Sequence, residues 1–95
     1  MPVIGERISE FYGLVVTMYL ESPDSELNAT PHVHVFCSDC HASYGIQDRI
    51  VLSGAIPSTA QKLMNDWTSV HETELMLNWF GMIDKKMPNK VIGLA

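Results

Sequence analysis

Apolar positions change their period once along this chain, after Pro57, and the change separates a strand-forming front from a helix-forming back. From Ile8 to Leu20 the residues favour an extended chain, with Phe11, Tyr12, Val15, Val16, Thr17 and Tyr19 among them. In its second half Leu14, Val16, Met18 and Leu20 fall on one face, and Val15, Thr17 and Tyr19 on the other. Residues 21–31 hold three acids among Ser, Pro and Asn, which predicts an exposed loop. His32 to Cys37 reads as the second strand. Ser38-Asp39 turns it into a third near Cys40 to Ile46, and Gln47-Asp48-Arg49 leads into a fourth, Ile50 to Ile56. Connections this short favour antiparallel pairing.

Beyond Pro57, Ala60, Leu63, Met64, Trp67, Val70, Leu75, Trp79 and Ile83 follow a helical stripe. Leu63, Trp67, Leu75 and Trp79 are the expected buried set, with Met64 and Phe80 as further core candidates. Ser58 with Gln61 is a capping-box pair, and Ser69 with Glu72 is a second. One helix over 58–83 would run about 39 Å, long for a small domain. The second capping pattern therefore favours two helices, 58–67 and 70–80. Gly81 is the candidate terminator, and the apolar Val91 to Leu94 is expected to pack back onto the body. The predicted fold class is α+β: a three- to four-stranded antiparallel sheet with C-terminal helices packed on one face, in a single domain over 1–95.

Composition narrows the function. Hydrophobic residues at 46% against 18% charged exclude a disordered acidic tail. A net charge of −5 argues against direct nucleic-acid binding, which needs a concentrated Lys/Arg surface. No apolar run is long enough to span a membrane, and the opening residues lack a leader pattern, so a cytoplasmic protein is expected.

Candidate chemistry sits in two places. His32 and His34, two apart on a strand, share a face and could flank one substrate group. Pro31 fixes the chain just ahead of them. On the helical stretch His71, Glu74, Leu75, Asn78 and Trp79 fall along one side, and a His beside a carboxylate suits general-base work. Catalytic candidates are thus His32, His34 and His71; binding candidates are Pro31, Glu74 and Asn78. A joint three-His site requires the helices to cover the His face of the strand. The Val33/Val35 face is the better core, so the favoured arrangement keeps His71 apart. Cys37-Ser38-Asp39-Cys40 could join two histidines around zinc, yet two small, partly buried residues at a turn explain the pair as well. No metal and no cofactor are expected, and a disulfide is disfavoured in a reducing compartment.

The order of these signals resembles the bacterial family known as domain of unknown function 4160. The resemblance rests on Met1-Pro2-Val3-Ile4, Phe11-Tyr12-Gly13, Thr30-Pro31-His32-Val33-His34-Val35, and the helical series Trp67, His71, Glu74-Leu75 and Asn78-Trp79. The tail at Lys85-Lys86-Met87-Pro88 and Ile92-Gly93-Leu94 is similar too. Thr30 and Val33 depart from the family's Pro and Phe, and Cys37, Cys40 and His41 are not family features. The resemblance implies a small α+β protein with no established activity. It also implies a gene often placed beside that of another small protein, in the manner of a toxin–antitoxin pair. The expected function is accordingly a protein-interaction component of a two-gene module, with a neighbouring-gene partner and a homodimer both open. The alternative is a His-dependent hydrolase or nuclease-like enzyme built on His32 and His34.

Overall fold

The computed structural model describes residues 5–19 and 30–94. Five strands form among them: β1 (Gly5–Phe11), β2 (Leu14–Tyr19), β3 (His32–Cys37), β4 (Cys40–Gly45) and β5 (Val51–Ala55). They pair in sequence order, each antiparallel to the next, as a meander. A helix, α1 (Ser58–Ile83), follows. The α+β class and the antiparallel sheet match expectation; the strand count does not. Of the stretch read as one strand, Ile8 to Leu20, the part up to Tyr19 is a hairpin that turns at Tyr12-Gly13, and Leu20 lies outside the described residues. Both turn residues have positive φ, 47° and 78°, the requirement of a tight turn whose twist suits the flanking strands. Glycine meets it freely; Tyr12 bears the cost at an exposed tip. The expected acidic loop lies, but for its end at Thr30 and Pro31, outside the described residues.

Alternation decides the core. Leu14, Val16 and Met18 of β2, Val33 and Val35 of β3, and Ala42 and Tyr44 of β4 turn to one face. There they meet Ala60, Met64, Trp67, Leu75, Trp79 and Met82 of α1. The Val face is thus the packed one. Register shifts break the ladder twice, between Arg7 and Ser9 and between Ser43 and Tyr44. Near the second shift, Gly54 pairs with Ala42 and has φ +77°, and a Cβ there would overlap the His41 carbonyl oxygen, so only glycine fits.

α1 holds two helical stretches that meet at a kink, so the expected pair is present with its break moved. Its disturbance lies at His71 (φ −111°, ψ 19°), beyond the Thr68-Ser69 break that the sequence favoured. Thr68 explains part of this: its hydroxyl donates back to the Met64 carbonyl at 2.7 Å, a bond that bends helices. Neither capping box forms. Pro57 holds the N-cap position without a side-chain cap, and Gln61 donates from Nε2 to the Ile56 carbonyl at 3.1 Å. Glu72 instead accepts from Arg49 at 2.8 Å, tying the β4–β5 turn to the bend. The helix does not stop at Gly81. It ends past Ile83, where Lys85 turns left-handed (φ 63°) and the Lys85 and Lys86 amides bond the Met82 and Gly81 carbonyls.

Some core assignments fail in an informative way. Trp67, Leu75, Trp79 and Met64 are buried and Leu63 is partly so, but Val70, Phe80 and Ile83 face solvent. The tail packs back as expected: Val91 is buried, and its amide donates to the Ile8 carbonyl at 2.8 Å where β1 is bulged. Among the described residues no helix is long and apolar enough to cross a membrane.

Tyr44 carries a pH signature of this core. Its ring is buried and its hydroxyl donates to the Arg49 carbonyl at 3.0 Å. Burial raises the phenol above its ordinary 10.0, and the Arg49 charge offsets part of the rise. A raised native value means that the stabilisation is complete below pH 10.0 and fades as pH climbs through the native value. Denaturation midpoints should therefore fall above pH 10.0, and more gently in Tyr44→Phe; equal slopes would refute the assignment.

Candidate functional site

The face of the sheet opposite the core carries the histidines. Strand alternation places His32, His34 and Phe36 together on β3, with Val15 and Thr17 beside them on β2 and His41 and Ser43 on β4. His34 stacks flat on Tyr19, ring centroids 4.0 Å apart and planes within 6°. His41 stacks on Phe36 at 4.5 Å and 7°, and lies 5.6 Å from His34. His32 stands edge-on to His34 at 5.2 Å and also meets Trp79 of α1 at 5.1 Å. The result is a bank of rings across three strands, held by offset and edge contacts.

Burial sets what these rings can do. His32 is 0% exposed and His34 3%, while His41 faces solvent. His32 donates from Nδ1 to the Thr30 carbonyl at 2.8 Å, which fixes its tautomer. The Nδ1 of His34 and the Nε2 of His41 are 3.4 Å apart, so one ring donates and the other accepts; the Ser43 hydroxyl is 3.5 Å from the same Nδ1. Pro31 contributes its carbonyl, which accepts from the Ile46 amide at 3.0 Å. Its contact is with the chain's own backbone.

The helical constellation is elsewhere and serves two ends. At the bend, His71 lies 5.8 Å from the Trp67 ring and its Nδ1 is 2.7 Å from Glu74 Oε1. Asn78 clamps the tail: Nδ2 donates to the Asn89 carbonyl at 2.9 Å and Oδ1 accepts from the Asn89 amide at 3.0 Å. Trp67 adds a third tie, donating from Nε1 to the Ile92 carbonyl at 2.9 Å. Between helix and tail lies a cavity of about 130 Å³, lined by Glu74, Leu77, Asn78, Asn89, Lys90 and Val91. Asn78→Ala removes both Asn89 bonds and should cost about 1–3 kcal/mol. Hydrogen exchange should show the Asn89 and Val91 amides losing protection first; unchanged exchange there would contradict the clamp.

The structure joins His32 to His34, as their spacing requires, and adds His41, which sequence reasoning passed over. A signal existed. A two-residue turn at Ser38-Asp39 pairs Phe36 with His41 and His34 with Ser43, which brings His41 to the His face. The same turn makes Cys37 and Cys40 the last register pair, Cα atoms 5.0 Å apart, with their sulfurs in contact. The hairpin leaves the two side chains facing each other, at a Cα separation that a disulfide can span. These cysteines lie on the core face, away from the histidines. Among the described residues no group of three or more His, Cys, Asp or Glu side chains is arranged to hold a metal ion.

A family model, the domain of unknown function DUF4160, matches residues 13–80, from the first turn to Phe80. The chain belongs to this family. The match spans the His-bearing strands and the helix that clamps the tail, and leaves out β1 and the tail itself. Within it, Trp67 and Asn78 bond the tail, and His32 and His34 form the ring bank. No curated protein and no solved structure matches the chain.

Proposed function

We propose that this DUF4160 chain works by binding other proteins, as the interaction component of a two-gene, toxin–antitoxin-like module whose second member is a neighbouring gene's product. One observation carries the reading. Val70, Leu77, Phe80 and Ile83 of α1 are 70%, 68%, 59% and 55% exposed, although each is large and apolar. Such a strip on a small chain marks a contact surface. The histidines give less to an enzyme, since His32 and His34 are shut away from solvent and stacked in rings. The proposal predicts that the chain, co-expressed untagged with its neighbour's product, co-elutes with it on a sizing column. Separate elution at every ratio tested would refute the pairing.

The burial of His32 and His34 works against a hydrolase built on that pair. A hydrolase reading draws its support instead from the 2.7 Å contact of His71 with Glu74 at the rim of the helix–tail cavity. Its test is turnover of a simple phosphodiester such as bis-p-nitrophenyl phosphate. Activity abolished by His71→Gln in a folded protein would establish it, and no turnover in the wild type would remove it.

A further inference from the structure

The hydrogen bonds that hold residues 88–94 against β1 and α1 end, Lys90 aside, on main-chain groups of that stretch. The Val91 amide donates to the Ile8 carbonyl at 2.8 Å, and the Trp67 indole donates to the Ile92 carbonyl at 2.9 Å. The Asn78 carboxamide takes both main-chain groups of Asn89, at 2.9 and 3.0 Å. We propose that the cleft between β1 and α1 is a peptide-binding groove, filled here by the chain's own tail, which a partner's unstructured segment of the same chemistry displaces. The inference goes beyond the interaction reading: it concerns a different surface and holds or fails apart from the neighbouring gene's product.

The walls suit an incoming chain. β1 is an edge strand, and Ile8 is the residue that its register with β2 skips, so the bulge offers the Ile8 carbonyl to the tail. Phe11 and Trp67, ring centroids 5.2 Å apart, line the floor. Main-chain bonds give such a groove affinity without regard to sequence, and side-chain pockets give it selectivity. Here the inward positions fall three residues apart. Pro88 and Val91 are buried and Leu94 is partly buried against the core, while Asn89, Lys90 and Ile92 face solvent. Three is the period of an extended, polyproline-type chain. At Gly93 a Cβ would stand 3.0 Å from the Phe11 Cβ and 3.1 Å from the Glu10 carbonyl oxygen, so the groove is too shallow there for a large side chain. On the rim the Lys90 ammonium donates to the Arg7 carbonyl at 2.8 Å and pairs with Glu6 at 3.4 Å. The fitting segment thus carries apolar residues three apart, a cation just before the second of them and a glycine two beyond it.

The tail leaves its groove incompletely filled. The cavity of about 130 Å³ lies between Leu77 and Asn78 on one side and Asn89 to Val91 on the other, space that a well-packed interior does not leave. A partner segment with a larger apolar side chain at the Asn89 position closes that space and covers Leu77. The tail also follows an exposed turn, residues 84–86, with Lys85 left-handed, and has no regular secondary structure of its own. A stretch anchored by few buried side chains, here Pro88 and Val91, can open while sheet and helix stay folded.

Fluorescence anisotropy of a labelled peptide copying residues 87–94, titrated with the full chain, tests the groove. The chain's own tail competes at an effective concentration on the order of millimolar, so the wild type should bind the peptide weakly. Val91→Asp in the chain puts a charge in an apolar pocket, frees the groove, and should tighten peptide binding by about tenfold or more. Adding Asn78→Ala should abolish that gain, and a peptide carrying Gly93→Phe should not bind. A Val91→Asp chain that is folded by circular dichroism and binds the peptide no better than the wild type would overturn the proposal. Hydrogen exchange of the wild type decides it whether or not that variant folds. The Asn89 and Val91 amides should exchange about tenfold or more faster than the amides of β3, through an opening local to the tail. Exchange at the β3 rate would mean that the tail leaves only when the whole chain unfolds, and would sink the groove as well.

Discussion

Trp67→Ala should lower the unfolding free energy by about 3–5 kcal/mol, the largest loss expected from any single truncation in this chain. The indole is 0% exposed and packs on Phe11 with ring centroids 5.2 Å apart. Its removal leaves a cavity between sheet and helix that rigid neighbours cannot fill. The same residue also holds the Ile92 carbonyl through Nε1, so the tail loses a tie as the core loses its filling. For a chain of this length each kcal/mol corresponds to about 4–8 °C in Tm. Trp67→Phe separates the two effects: it keeps a ring against Phe11 and loses only the donor, and should cost less than half as much. A denaturation midpoint unchanged in Trp67→Ala would mean that the indole does not support the core.

His34→Ala should cost about 2–4 kcal/mol, as a buried ring does when truncated in a packed setting. The imidazole lies flat on Tyr19 at 4.0 Å and edge-on to His32 at 5.2 Å. The vacancy would unseat both neighbours. The expected phenotype is a stability defect: urea midpoints fall, while partner binding per folded molecule stays at the wild-type level. A catalytic role predicts the reverse, a folded protein with normal midpoint and abolished turnover. Circular dichroism melts read beside a binding titration distinguish the two.

How far the sequence led depends on which force set each feature. β3 was legible because strict alternation over His32 to Cys37 meets a two-residue turn at Ser38-Asp39, two local signals in agreement. The Tyr12-Gly13 turn was not, because apolar residues run through it from Ile8 to Leu20 and tyrosine seldom takes positive φ. On α1 the apolar residues are too many for one face. Periodicity alone cannot tell Leu75, which meets the sheet, from Phe80, which meets solvent. The helix break was misplaced for a related reason. Capping-box spacing at Ser69 and Glu72 is a local pattern, and the Arg49 contact that claims Glu72 comes from 23 residues away. His32 and His34 were recognised as a pair from spacing, but their burial and the part of His41 depend on register across three strands. Asn78 was singled out for binding, and what it binds is the chain's own tail.

The most direct measurement of the central claim is a calorimetric titration of the untagged chain with the purified product of the neighbouring gene. A protein that works by contact predicts a saturable isotherm with a Kd of about 1 μM or tighter, near −8 kcal/mol, and the same affinity for His71→Gln. No heat of binding at about 100 μM of either protein, under conditions where both are folded, would contradict it.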